Sequence, residues 1–89
     1  MVVEAIRQAL CDRGGEEALV FDNPAFDDAI IGVTEDGRAL YDYDLMVESL
    51  VREDGVDPAD AAAFIDYNTI RSLPYAGEKA PVIMYRLEI

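Results

Sequence analysis

Two β-rich runs, Ala29–Thr34 and Arg38–Tyr43, flank the tripeptide Glu35-Asp36-Gly37. Asp-Gly between such runs is a strong local hairpin signal, because a tight turn of the matching hand needs positive φ values that glycine adopts freely. The spacing predicts an antiparallel hairpin, around which the rest of the chain must pack.

Upstream, Val3, Ile6, Ala9 and Leu10 fall at helical spacing within Val2–Arg13, and Gly14-Gly15 supplies a left-handed stop. Ala18–Phe21 is a short apolar run that reads as a strand, followed by a turn at Asp22-Asn23-Pro24. Downstream, Asp44 can cap a helix over Leu45–Glu53, whose apolar stripe is Leu45, Met46, Leu50 and Val51, with Gly55 ending it. Asp57-Pro58 opens a third helix with inner positions Ala61, Ala62, Phe64, Ile65 and Thr69, running to about Ser72. Leu73–Ala80 contains Pro74 and Gly77 and reads as loop, and Pro81–Ile89 returns as a strand. The expected order is α-β-β-β-α-α-β. The expected fold class is α+β: a small, mostly antiparallel sheet of about four strands with three helices. At this length the chain 1–89 is expected to be a single acidic domain.

Charge is distributed unevenly over this frame. Residues 16–60 hold fourteen carboxylates against Arg38 and Arg52, so this stretch carries the entire net charge of −12. The remainder is balanced. A hydrophobic content of 52% is far above that of disordered acidic tails, so the charge belongs to a folded body. Such a charge argues against direct contact with nucleic acid or an anionic membrane and favours a basic partner. The apolar runs are too short to cross a bilayer, and Met1–Leu10 has no secretory pattern. The single cysteine, Cys11, excludes an internal disulfide; the expected location is the cytoplasm.

Catalytic chemistry finds little to work with. Histidine is absent, which removes the commonest general base and transition-metal ligand. Cys11 has no histidine to activate it, and a small buried helix residue is the expected role. Asp22, Asp27 and Asp28, then Asp42 and Asp44, are the carboxylate groups that could take a divalent cation. The calcium-loop pattern does not occur, and turn and cap duty is the ordinary work of Asp22 and Asp44. No catalytic residue, metal ligand or cofactor is expected. Arg71 stands near a helix C-terminus, where the macrodipole favours it, and is expected to anchor structure.

Asp42-Tyr43-Asp44 offers another reading. In a strand, alternate residues share a face roughly 6.6 Å apart, so Asp42 and Asp44 would project together at about the spacing of neighbouring phosphates. The alternative is a solvated face that keeps a small protein soluble.

The segments Phe21–Asp27 (FDNPAFD), Ile31-Gly32-Val33 with Asp36-Gly37-Arg38, and Phe64–Arg71 (FIDYNTIR) through Pro74-Tyr75 resemble a family of short uncharacterised prokaryotic proteins. The resemblance covers most of Ala18–Tyr85 and implies no catalytic residue. In size and acidity the chain is also similar in character, and not in motif, to anti-CRISPR and anti-restriction proteins of mobile elements. That likeness implies an inhibitor.

The leading expectation is a non-enzymatic acidic interaction domain that mimics nucleic acid and blocks a basic DNA- or RNA-binding protein. Its expected contact residues are Asp22, Asp27, Asp28, Glu35, Asp36, Asp42 and Asp44, with Tyr41 or Tyr43 as an aromatic anchor or, alternatively, as core. The second expectation is a cytoplasmic adaptor or antitoxin-like regulator that docks through an apolar groove. There the Leu45/Met46/Leu50 stripe or the Leu73–Pro81 loop would carry the contact. A free edge on the last strand leaves self-association open.

Overall fold

The hairpin forms where its turn chemistry places it. A computed structural model describes the backbone of residues 2–88 and the side chains of 5–88. Strands β1 (Ile30–Val33) and β2 (Ala39–Asp42) pair antiparallel, with Val33 opposite Ala39 and Gly32 opposite Leu40. The turn closes through Thr34 N–H donating to the Arg38 carbonyl at 2.8 Å and Gly37 N–H donating to the Thr34 carbonyl at 3.0 Å. Gly37 has φ +81°, and a Cβ there would lie 2.9 Å from the Gly14 carbonyl oxygen. Only glycine fits both demands. The register slips between Ile30 and Gly32, a bulge that leaves Ile31 half exposed on the outer edge.

The third strand, β3 (Val82–Met84), joins the other side of β2 in parallel, with Leu40, Tyr41 and Asp42 opposite Val82, Ile83 and Met84. Among the described residues the sheet therefore has three strands in the order β1-β2-β3 and is mixed. The α+β class stands; the fourth strand and the mostly antiparallel pairing do not. A parallel neighbour needs a long crossover, and the helices between β2 and β3 supply it.

Ala18–Phe21 is the missing strand. Its backbone is spent elsewhere: Leu19 N–H donates to the Lys79 carbonyl at 3.1 Å, and Phe21 N–H donates to the Tyr41 hydroxyl at 3.1 Å. Phe21 packs on Tyr41 and Phe26, with ring centroids 4.7 and 6.0 Å away. After it, Asn23 Oδ1 accepts from Ala25 N–H at 3.0 Å and opens a 3₁₀ helix over Pro24–Ala29. This brings Phe26 and Ala29 into the core.

Helix α1 spans Val2–Asp12 and turns off through Gly14, which has φ +95°. Leu10 is buried and Ile6 half buried, while Ala9 is exposed; Val3, expected on the same face, lies outside the described side chains. Cys11 is exposed, against the expectation of burial, because the helix turns that side away from the sheet. Helix α2 spans Tyr43–Asp54 and ends at Gly55 in the left-handed region, with φ +69°. Helix α3 (Pro58–Phe64) begins with proline at its first turn, although the Asp57 side chain makes no capping bond. The helical path then loosens into a π turn (Ile65–Thr69) and tightens into a 3₁₀ helix (Ile70–Tyr75) around Pro74, a stretch expected in part to be loop.

The core gathers Leu10, Phe26, Ala29, Ile30, Ala39, Tyr41, Met46, Leu50, Ala61 and Ile65, with α2 packed against the first 3₁₀ helix, α3 and the sheet. Among the described residues, no helix is long and apolar enough to cross a membrane.

Candidate functional site

Two of the seven expected contact acids are structural. Asp27 is 1% exposed and Asp42 4% exposed. Burial of a carboxylate requires compensation, and both have it. Arg7 of α1 places Nη2 3.4 Å from each Asp27 oxygen. Asp42 Oδ1 accepts from Asp44 N–H at 2.9 Å and Leu45 N–H at 3.2 Å, capping α2, while Oδ2 accepts from Arg86 Nε at 2.9 Å. The capping role expected of Asp44 thus belongs to Asp42. The hydrogen bond that Arg86 donates to Asp42 is the first cause that pushes its guanidinium above its ordinary range.

The phosphate-like ladder at Asp42 and Asp44 is accordingly corrected. The strand ends at Asp42 and Tyr43 begins a helix, so the two carboxylates do not alternate along an extended backbone. Asp42 points into the protein and Asp44 out, with Arg86 Nε 3.7 Å from Asp44 Oδ2.

The other five expected residues, Asp22, Asp28, Glu35, Asp36 and Asp44, are exposed. They fall into separate groups. Glu35 and Asp36 form the hairpin tip, where Asp36 accepts from the Thr34 hydroxyl and Lys79 Nζ donates to the Asp36 carbonyl at 2.6 Å. The Thr34 hydrogen bond is the leading cause that holds the Asp36 carboxyl below its usual range. Asp22 precedes the 3₁₀ helix. Asp28 pairs with Arg52 in the last turn of α2 at 3.0 Å.

Asp44, Glu48 and Arg52 stand four residues apart, so they form one row along α2, about 12 Å from end to end. Asp28 joins that row through Arg52. Beyond it, Glu53, Asp54, Asp57 and Asp60 are all exposed where α2 turns into α3. Glu48 and these four were not among the expected contacts. The 44/48/52 spacing was the available signal, and it depends on the helix starting at Tyr43.

Of the two aromatic candidates, Tyr41 is core: it is fully buried, and burial first of all pushes its hydroxyl up to about 12. Tyr43 is half buried beside Tyr85, with ring centroids 5.0 Å apart, and its hydroxyl donates to Asp66 Oδ1 at 3.0 Å. Burial and then that hydrogen bond push Tyr43 up to about 12 as well. Arg71 lies over the Tyr67 ring at 4.9 Å, a cation–π contact that fits its anchoring role.

The apolar stripe of α2 is also core. Met46 and Leu50 are 0% and 2% exposed, so they cannot receive a partner in the folded chain. Part of the Leu73–Pro81 stretch (Leu73, Pro74, Gly77, Ala80 and Pro81), by contrast, lines an open groove of about 600 Å³ with Ile70, Val82, Ile83, Tyr85 and Arg38. Tyr75, Tyr85 and Leu87 are 90%, 56% and 87% exposed in the same part of the chain.

Among the described residues, no group of three or more Cys, Asp or Glu side chains is arranged to hold a metal ion. No protein-family model matches the chain, and no curated protein or solved structure shows significant similarity to it.

Proposed function

We propose that this chain is a non-enzymatic interaction domain that docks a basic protein surface through the acidic row of α2 and the turn that follows it. Asp28, Asp44 and Glu48, with Glu53, Asp54, Asp57 and Asp60, form the contact, and Asp22, Glu35 and Asp36 add long-range field. The observation that carries this reading is the use of the arginines. Arg7 is taken up by buried Asp27, and Arg86 hydrogen-bonds buried Asp42 and only flanks Asp44 at 3.7 Å, so the seven acids around α2 have just Arg52 and this shared Arg86 as basic companions. The field of such a surface attracts and steers a cationic partner.

A basic surface on a nucleic-acid-binding protein is the natural complement. Occupying it would exclude DNA or RNA, as anti-CRISPR or anti-restriction inhibitors do. Charge carries this mimicry, and phosphate spacing does not. The test is capture of partners by the immobilised chain, followed by a salt gradient. The capture is expected to release by roughly 0.5 M salt, where the screening length is about 4 Å, and to be lost in Asp28→Asn/Asp44→Asn/Glu48→Gln. Retention in both conditions overturns the reading.

A second reading rests on a different observation, the open groove beside exposed Tyr75 and Tyr85. An adaptor docking there would lose its partner on substitution of Leu73 or Ile83 and keep it on substitution of the α2 acids. The two surfaces are compatible on one molecule.

A further inference from the structure

We propose that the groove between the 3₁₀ helix Ile70–Tyr75 and the outer edge of β3 captures the free C-terminus of an extended, apolar peptide, with Arg38 holding its carboxylate. This rests on the second reading above and gives it a partner chemistry.

The groove is built for a strand. One wall is helical, from Ile70, Leu73 and Pro74, and the other is Val82 and Ile83 of β3 with Tyr85 just beyond it. β3 is an edge strand: it pairs with β2 on one side, and its other side has no strand partner among the described residues. An added strand would satisfy the outward N–H and C=O groups while its alternate side chains enter the apolar trough.

Arg38 sets the end and the direction. Its Nε–H donates to the Ala80 carbonyl at 2.8 Å, which fixes the guanidinium beside the start of β3. The carboxylate paired with it, on Asp36, lies 3.9 Å from Nη1, beyond hydrogen-bonding distance. The terminal N–H groups thus remain for another acceptor, and a guanidinium fork suits a carboxylate. Arg38 precedes β2, and β2 runs parallel to β3, so this cation marks the N-terminal end of β3. A strand laid antiparallel on β3 therefore finishes at Arg38. Only that orientation brings a terminal carboxylate to the cation.

The overall charge does not forbid an anionic end here. Residues 61–89 carry three acids and three bases, unlike the acidic block before them. The carboxylate beside the cation, on Asp36, is offset by Lys79, whose Nζ donates to the Asp36 carbonyl at 2.6 Å, and repulsion from charges more than about 8 Å away is largely screened at physiological salt.

The experiment is a ¹⁵N NMR titration of the whole chain with a pool of acetylated pentapeptides ending in Leu, Ile, Val or Phe. The pool is prepared once as free acids and once as C-terminal amides, which varies the carboxylate without altering the protein. The free-acid pool is expected to shift the amide resonances of Val82–Tyr85 and the Arg38 Nε–H. It should bind about ten-fold tighter than the amide pool, as a charge-assisted bidentate contact implies. Arg38→Gln, with its fold checked by the same spectra, should abolish the difference, and Arg38→Lys should retain part of it. Equal binding of acid and amide pools overturns the proposal, as does the absence of shifts at millimolar peptide. Decanoate producing the same shifts more strongly would also overturn it, in favour of a small apolar carboxylate. Asp44→Asn/Glu48→Gln should leave peptide binding unchanged while weakening docking through α2, and Arg38→Gln should do the reverse, so either reading can fail without the other.

Discussion

At the scale of single residues, Asp42 shows how a surface-looking acid becomes a structural one. It ends β2, caps α2 and receives Arg86 from the last stretch of the chain, so one carboxylate ties three segments together. Asp42→Ala should cost about 1–2 kcal/mol through the lost cap alone, and more because Arg86 loses its partner. Asp44→Ala, at an exposed position, should stay within about 0.5 kcal/mol. Urea melts of the two variants check this, and equal losses would show that the cap is not at Asp42. Nothing in Asp42-Tyr43-Asp44 distinguishes the two acids by type; which one is buried depends on where Arg86 arrives, 44 residues later.

Tyr41 gives a pH prediction with a definite sign. Its folded pKa, pushed up to about 12, exceeds the ordinary value of 10.0, so folding favours the neutral phenol. The stability this confers is complete below pH 10 and is lost as pH rises from there through about 12. Absorbance of tyrosinate should show a transition near 12 shared by Tyr41 and Tyr43, and Tyr41→Phe should reduce its amplitude by one tyrosine. Asp36 works in the opposite direction. Its depressed pKa gives stability above the ordinary value of 3.8 that is lost as pH falls through the folded value, and Thr34→Val should shrink that effect.

Among the elements, the hairpin and the ends of α2 and α3 were legible because their signals are local. Asp36-Gly37, Gly55 and Pro58 each state a backbone requirement within two or three residues, and each sits where that requirement holds. The edges of the sheet were not legible. Ala18–Phe21 has strand composition, but Phe21 turns its ring onto Tyr41 and its N–H to the Tyr41 hydroxyl, a choice made by a residue twenty positions away. The parallel pairing of β3 is likewise set by the crossover and not by anything within Val82–Met84. Three glycine variants separate local from tertiary demands. Gly37→Ala combines a positive φ with a clash against the Gly14 carbonyl, and should cost about 2 kcal/mol or more. Gly55→Ala has the positive φ without a neighbour within 4 Å and should cost about 1 kcal/mol. Gly32→Ala has neither burden and should be neutral or stabilising by up to about 1 kcal/mol. Denaturation midpoints give the order, and Gly55→Ala costing more than Gly37→Ala would contradict the packing of the turn on Gly14.

For the whole molecule, the uneven charge was plain from residues 16–60, but its disposition was not. Folding buries Asp27 and Asp42 against arginines from outside that stretch, and arranges Asp44 and Glu48 along one helix. The net charge of −12 remains as self-repulsion. Raising NaCl from 10 to 150 mM should therefore raise Tm by about 2–5 °C, as screening relieves it. A fall in Tm would mean that the surface ion pairs outweigh the repulsion.

The occlusion mechanism makes one demand that no other account shares: the chain and nucleic acid must compete for the same partner surface. The decisive measurement is fluorescence anisotropy of a labelled oligonucleotide bound to the captured partner as the chain is added. Stoichiometric release of the oligonucleotide is predicted, with more chain needed as salt rises and little release by Asp28→Asn/Asp44→Asn/Glu48→Gln. Unchanged anisotropy while the chain is bound, a ternary complex, would contradict it.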